Sequence, residues 1–320
     1  MPRRSISRLA LLGAAALVAV GAAAQDAQSW IAQMNSAVED LNYRGTFVHL
    51  QGEVAETLLI VHRNDAGRIS ERIMSLDGAG REIIRRENEV WCILPDTETV
   101  LLEDRSDPSP LVSVLPSYSP ELSHYSFNLH RRTERIAQRR TQVVSIIPKD
   151  DYRYGYRLWL DTETAMPLKS QLVDEAGNTV EQILFTQIEI SGEIPKSAVE
   201  PTINTAGFTL YRPPAMVPQT EQTLSLAQTE LPSGFQLSAA MQGPMAGSRY
   251  PVNHFVVSDG LATVSVFIED PKSTPEVAAG FSRLGTANAY SLTVGGRPVT
   301  AVGEVPQQTV EAIAKSLRAR

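Results

Sequence analysis

Trp30, Met34, Ala37, Val38 and Leu41 fall at spacings of four, three, one and three, the pattern of one buried helical face, and predict a short helix. From Tyr43 to about Ile190 the period shortens to two. Segments rich in β-branched and aromatic residues are separated there by turn chemistry at Asn64-Asp65-Ala66-Gly67, Asp77-Gly78-Ala79-Gly80 and Glu175-Ala176-Gly177-Asn178. Alternation is plainest where Tyr154, Tyr156, Leu158 and Leu160 oppose Arg153, Gly155, Arg157 and Trp159, which makes one face buried and the other mixed. Strands at short intervals without long intervening helices predict a curved antiparallel sheet, an open half-barrel with packed helices. The fold class is mainly β with α (α+β). Prolines and the run Pro120-Glu121-Leu122-Ser123-His124-Tyr125 interrupt the strands between Pro108 and Leu129 and suggest a helical insertion over the sheet.

The pattern dissolves over residues 191–231, where Pro195, Pro201, Pro213, Pro214 and Pro218 precede the polar run Gln219-Thr220-Glu221-Gln222-Thr223. This reads as a linker between a large domain, residues 25–190, and a smaller α+β domain, residues 232–320. In the smaller domain His254 to Val257 lead into the turn Ser258-Asp259-Gly260, and Ala262, Val264, Val266 and Ile268 alternate on the return strand. Pro306 opens a final helix with the apolar stripe Val310, Ile313, Ala314 and Leu317.

The N-terminal end changes the compartment. Arg3, Arg4 and Arg8 precede an uncharged run from Leu9 to Val20 and the small residues Gly21-Ala22-Ala23-Ala24, the arrangement of a cleavable export signal, residues 1–24, with cleavage expected after Ala24. The run is short for a bilayer span, and the residue after the site is Gln25 rather than a lipid-accepting cysteine. Loss of those three arginines takes the 29 basic residues to 26 against 36 acidic ones, a net charge of −10, which argues against nucleic acid as a partner. The single cysteine, Cys92, excludes an intramolecular disulfide and is expected to be a buried structural thiol in Val90-Trp91-Cys92-Ile93-Leu94.

Local catalytic signatures are missing: there is no Gly-x-Ser-x-Gly, His-Glu-x-x-His, Cys-x-x-Cys or P-loop. No cofactor, metal or catalytic residue is assigned. His124 and His130 are near each other in sequence, but a pair six apart is weak as a metal site. Two binding features remain. Five arginines oppose one glutamate between His130 and Arg140, so Arg131, Arg132, Arg135, Arg139 and Arg140 are candidates for an anionic headgroup or acidic peptide, against the plain reading of a solvated surface. The concavity of the sheet is the second: Phe47, Leu58, Ile60, Trp91, Ile93, Tyr154 and Tyr156 are candidates to line a lipid pocket, against the plain reading of a filled core.

Several segments carry a family resemblance. Tyr43-Arg44-Gly45-Thr46-Phe47-Val48, the stretch Glu71 to Pro95, the run Tyr154-Gly155-Tyr156-Arg157-Leu158-Trp159-Leu160-Asp161, and Pro167-Leu168 leading to Leu172 resemble the large domain of the MucB/RseB family. Leu231-Pro232-Ser233-Gly234-Phe235 and Val257 to Ile268 resemble its small domain, in the same order along nearly all of the mature chain. The resemblance implies a periplasmic regulator of a sigma-E or AlgU-type extracytoplasmic sigma factor, with a large domain like the lipoprotein carriers LolA and LolB. It implies binding to the periplasmic part of an RseA/MucA-type anti-sigma factor, protection of that protein from site-1 proteolysis, and release by a lipid-like signal such as lipopolysaccharide. The partner is expected at the small domain and the domain junction, with Phe255, Val257, Val264, Val266 and Phe267 as candidate contacts by strand addition. Homo-oligomerisation is left open by the sequence. The competing readings are a periplasmic lipid or lipoprotein carrier, and a hydrolase with a dispersed site.

Overall fold

The first stripe forms helix α1, residues 26–40, and buries Ala27, Ile31, Met34, Ala37 and Val38 while Trp30 and Leu41 pack at its margin. The structure, a computed structural model, describes residues 26–78, 80–104, 111, 115–116, 122–219, 224–245, 248–272 and 278–319. The expected export signal and its cleavage point lie outside the described residues.

Period-two segments become a 12-stranded sheet. Its first half is β1 (Asn42–Gln51), β2 (Val54–Asp65), β3 (Arg68–Ser75), β4 (Glu82–Arg86), β5 (Glu89–Leu94) and β6 (Thr99–Asp104), each antiparallel to the next. Its second half is β7 (Tyr125–Ile136), β8 (Arg139–Pro148), β9 (Gly155–Asp161), β10 (Pro167–Val173) and β11 (Thr179–Ser191), again antiparallel in sequence order. β1 joins the halves by pairing with β11. The two ends of the strand order do not pair with each other, so the curved sheet stays open. α1 lies against one face, where Met34 and Val38 share the main core with Tyr43, Phe47, Leu58, Ile60, Leu158 and Phe185. Gly45 is required by that packing. A Cβ there would stand 2.9 Å from the Phe185 ring and 2.6 Å from the Gln187 carbonyl oxygen.

Two expectations need correcting. Tyr125–Leu129, expected at the end of a helical insertion, is the start of β7, because pairing with Val144–Pro148 satisfies its backbone in the sheet. Most of the remaining insertion lies outside the described residues, though Leu111, Leu115 and Leu122 are buried in the main core. Cys92 is half-buried rather than buried, since Ile84 and Ile93 occupy the covered face of β4 and β5.

The segment expected as a bare linker is stitched to both domains. Ile194 and Val199 cover Val61, and β12 (Thr209–Tyr211) adds parallel to β6 at the sheet edge. β13 (Val217–Pro218) then pairs with β15 (Gln236–Gly243) of the small domain, and β14 (Leu224–Leu226) with β21 (Leu317–Ala319). A sheet edge leaves unpaired backbone groups, and a proline-containing strand can satisfy one side of it.

The small domain is a seven-stranded antiparallel sheet, ordered β13-β15-β16-β17-β20-β19-β18. Its other strands are β16 (Val252–Ser258), β17 (Thr263–Ile268), β18 (Gly280–Leu284), β19 (Ala287–Val294) and β20 (Arg297–Gly303). Helix α2 (Gln307–Lys315) covers one face and buries Val310, Ile313 and Ala314, with Leu317 beyond its end, as its stripe predicts.

Candidate functional site: the junction of the two domains

Asp259 sits in the turn between β16 and β17, where its Oδ1 accepts from the backbone N–H groups of Leu261 (2.9 Å) and Ala262 (2.7 Å). Such a turn leaves the second carboxylate oxygen free to face outward. Oδ2 meets the large domain: Arg153 Nη1 donates to it at 2.6 Å and the Tyr125 hydroxyl at 2.9 Å. The same guanidinium donates through Nε to Asp150 Oδ1 (2.9 Å) and through Nη2 to the Ser233 carbonyl (2.6 Å). Tyr125 and Phe235 offer their rings to it at 5.5 and 5.0 Å. The side chains of Arg153 and Asp259 are both 0% exposed. A charge pair this deep is tolerable only because nearly every lone pair and proton has a partner. Burial, together with the charge of Asp259, pushes the Tyr125 hydroxyl far above its ordinary range, so it stays a donor.

The backbone is shaped for this contact. Gly234 has φ +86°, and a Cβ there would lie 2.4 Å from His124 Cδ2 of the large domain. Only glycine lets the chain turn so close, which presents the Ser233 carbonyl and the Phe235 ring to Arg153. Around this centre Asn288 Nδ2 donates to the Tyr154 hydroxyl (3.2 Å), Gln308 Nε2 to the Asp151 carbonyl (2.5 Å) and the Thr309 hydroxyl to the Tyr152 carbonyl (2.7 Å). The alternation along residues 153–160 assigned Arg153 to a mixed outer face. In the structure Arg153 precedes β9 and turns into the junction. No local motif signals it, since its partner is 106 residues away.

The residues singled out for a lipid pocket separate into three places. Phe47, Leu58 and Ile60 lie together in the main core, with Tyr156 packed against it. Ile93 belongs to a second cluster with Ile84 and Val100, against which Trp91 packs. Tyr154 is at the junction. Of the arginines, Arg131, Arg132 and Arg135 are exposed on β7, an edge strand, and Arg140 is exposed on β8. Among the described residues these four form no side-chain ion pair. Arg139 is committed to Asp161 through two hydrogen bonds of 3.0 and 2.9 Å, and to Glu163 at 3.1 Å. Burial alone would raise the Asp161 carboxyl, but the bonds from Arg139 and Thr164 hold it below its ordinary value.

Of the candidate partner contacts, Phe255, Val257, Val264 and Val266 fill the core beneath α2. Phe267 points to the opposite face of the sheet, where it stacks on His254 with ring centroids 4.6 Å apart. A cleft of about 820 Å³ opens beside β1, β2 and β11, with Arg44, Arg72 and Arg139 in its lining. Its cations are matched by carboxylates, Arg44 by Glu189 at 2.6 Å and Arg139 by Asp161. Among the described residues no group of His, Cys, Asp and Glu could hold a metal ion, and no helix is long and apolar enough to cross a membrane. His124 and His130 do not converge: His124 faces Gly234, and His130 Nε2 bonds to Ser145. The arrangement is one of binding surfaces and a buried joint.

Comparison with known proteins agrees with that character. Residues 26–203 match the MucB/RseB N-terminal domain and residues 220–318 the MucB/RseB C-terminal domain. The chain is 33% identical to the sigma factor AlgU regulatory protein MucB of Pseudomonas aeruginosa, with 98% of each chain covered. It is 29% identical to the sigma-E factor regulatory protein RseB of Escherichia coli, covering 89% of this chain and 88% of that one. A solved structure of the Pseudomonas aeruginosa MucA/MucB complex matches with a TM-score of 0.73 at 28% identity, over 92% of this chain and 99% of that one.

Proposed function

The chain belongs to the MucB/RseB family, and from that premise we propose that it binds the periplasmic part of a membrane-bound anti-sigma factor and so keeps an extracytoplasmic sigma factor sequestered. Family members are regulatory binding proteins rather than enzymes. The observation that carries the proposal is the match, across both domains, to a MucB solved in complex with MucA. Bound in this way, the protein shields its partner from the site-1 protease, and a lipid-like signal such as lipopolysaccharide releases it. The export-signal pattern at the N-terminal end supports a periplasmic location, where the exported part of such a partner lies.

The small domain and the junction meet the partner, with Phe267 on the face of the sheet that α2 leaves uncovered. Phe255, Val257, Val264 and Val266 support that face from beneath. The large domain senses an acyl chain where α1 covers Phe47, Leu58 and Ile60, and the unpaired arginines of β7 and β8 receive the anionic headgroup. Such a signal shifts the equilibrium only by its differential affinity for the two arrangements of the protein.

The test is protection of the purified periplasmic anti-sigma segment from site-1 protease by residues 25–320. Slowed cleavage, restored by added lipopolysaccharide, is the expected result. Cleavage at an unchanged rate with saturating protein would falsify the proposal.

A further inference from the structure

The cleft beside β1, β2 and β11 holds a guanidinium that the junction does not use. Strand register sets Glu189, Arg44, Val61 and Arg72 in one row across β11, β1, β2 and β3, with Gln187, Thr46 and Leu59 in the next row of the same face. Leu59 and Val61 alternate with Leu58 and Ile60, which belong to the core shared with α1, so this floor lies on the opposite face of the sheet. Ala198 of the interdomain segment and the tip of the β7–β8 hairpin complete a lining around about 820 Å³.

Two of the three arginines in this lining are committed, Arg44 to Glu189 and Arg139 to Asp161. Arg72 is not. Its side chain is 13% exposed, its Nε is buried without a partner, and its Nη1 stands 3.7 Å from Glu82 Oε1, beyond hydrogen-bond reach. Glu82 is itself fully buried and already accepts from the backbone N–H groups of Thr202 (2.9 Å) and Ile203 (3.1 Å) and from the Thr202 hydroxyl. It balances the charge of Arg72 without satisfying its donors. Among the described residues the Arg72 side chain forms no hydrogen bond. Donors withdrawn from water and left open are costly, and these face a cleft of the size that holds a small molecule.

We propose that the cleft binds a small amphipathic carboxylate, whose two oxygens meet the Arg72 fork while its apolar body lies over Leu59 and Val61. A carboxylate matches the guanidinium in geometry and strengthens each bond by its charge. A phosphate monoester would set two charges against the flanking carboxylates of Glu82 and Glu189, and an alcohol would form only weaker neutral-acceptor bonds. The site lies away from the core under α1, and it does not rest on the regulatory function proposed above.

The experiment is isothermal titration calorimetry of the mature protein, residues 25–320, near neutral pH with decanoate, decyl phosphate and decanol as probes, each below its micelle concentration. Decanoate is expected to bind at a single site, about tenfold or more tighter than decanol, because the difference is the charge-assisted bonding to Arg72. Arg72→Gln is expected to bring decanoate down to the affinity of decanol. Ala198→Trp, which fills the cleft and leaves Arg72 in place, is expected to weaken both. Thermal melting checks that each variant is folded, and if Arg72→Gln is not, Ala198→Trp decides alone. No binding of decanoate to the wild type overturns the site and leaves water to satisfy Arg72. Binding that Ala198→Trp leaves unchanged also overturns it, because the probe then sits elsewhere. Decanol bound as tightly as decanoate, or decyl phosphate bound more tightly, overturns the assignment of a carboxylate to Arg72.

Discussion

Arg153 and Asp259 show what one side chain does here that its neighbours cannot replace. Asp259→Ala strands a fully buried guanidinium, and removal of one partner from such a pair costs about 3–5 kcal/mol. Arg153→Lys is expected to be nearly as damaging, because a point-like ammonium cannot serve Asp150, Asp259 and the Ser233 carbonyl together. Chemical denaturation of the two variants checks this. Midpoints indistinguishable from wild type would mean that the pair contributes nothing. Gly234 belongs to the same unit, which gives the sequence Leu231-Pro232-Ser233-Gly234-Phe235 a physical reason: a turn without a side chain, a carbonyl and a ring, all aimed at one arginine.

At the scale of elements, the β7–β8 hairpin combines the proposed anion-binding surface with local strain. Ala137 and Gln138 form its tip with φ of 45° and 64°, a conformation that asparagine and glycine adopt at lower cost. Ala137→Asn with Gln138→Gly is expected to raise stability by about 1 kcal/mol, read as a higher melting temperature without change in partner binding. Between Leu129 and Thr133 the register with β8 slips, and the Gln142 side chain reaches the His130 carbonyl at 2.6 Å. A bulged, arginine-bearing edge resists pairing with another strand, so these cations are free for a soluble or membrane-borne anion. Replacement of Arg131, Arg132, Arg135 and Arg140 by glutamine is therefore expected to weaken lipid-triggered release and leave binding of the anti-sigma segment intact. Unaltered release in the fourfold variant removes them from the mechanism. Arg139 is left out because its substitution would also unseat Asp161.

For the whole molecule, the buried joint and the stitched linker couple two separate cores. Calorimetry on the wild type at about pH 5 is expected to show one transition, whereas Asp259→Ala separates it into two as each core melts by itself. Two resolved transitions in the wild type would show that the domains are not energetically coupled. Regulation by domain arrangement needs this coupling to be substantial but reversible, which suits a joint held by a few polar groups more than one sealed by apolar surface.

Much of the fold could be read along the chain because periodicity acts over a few residues. α1, the final helix, the β16–β17 hairpin and the open antiparallel character of the large sheet all follow from spacing. Family likeness added the function, carried by whole segments rather than by any contact residue. The joint was invisible. Arg153 looks like a strand residue of the mixed face and Asp259 a turn former until the chain folds. Burial and pairing are properties of residues distant in sequence, so the tertiary structure alone decided which charges face solvent and which hold the two domains together.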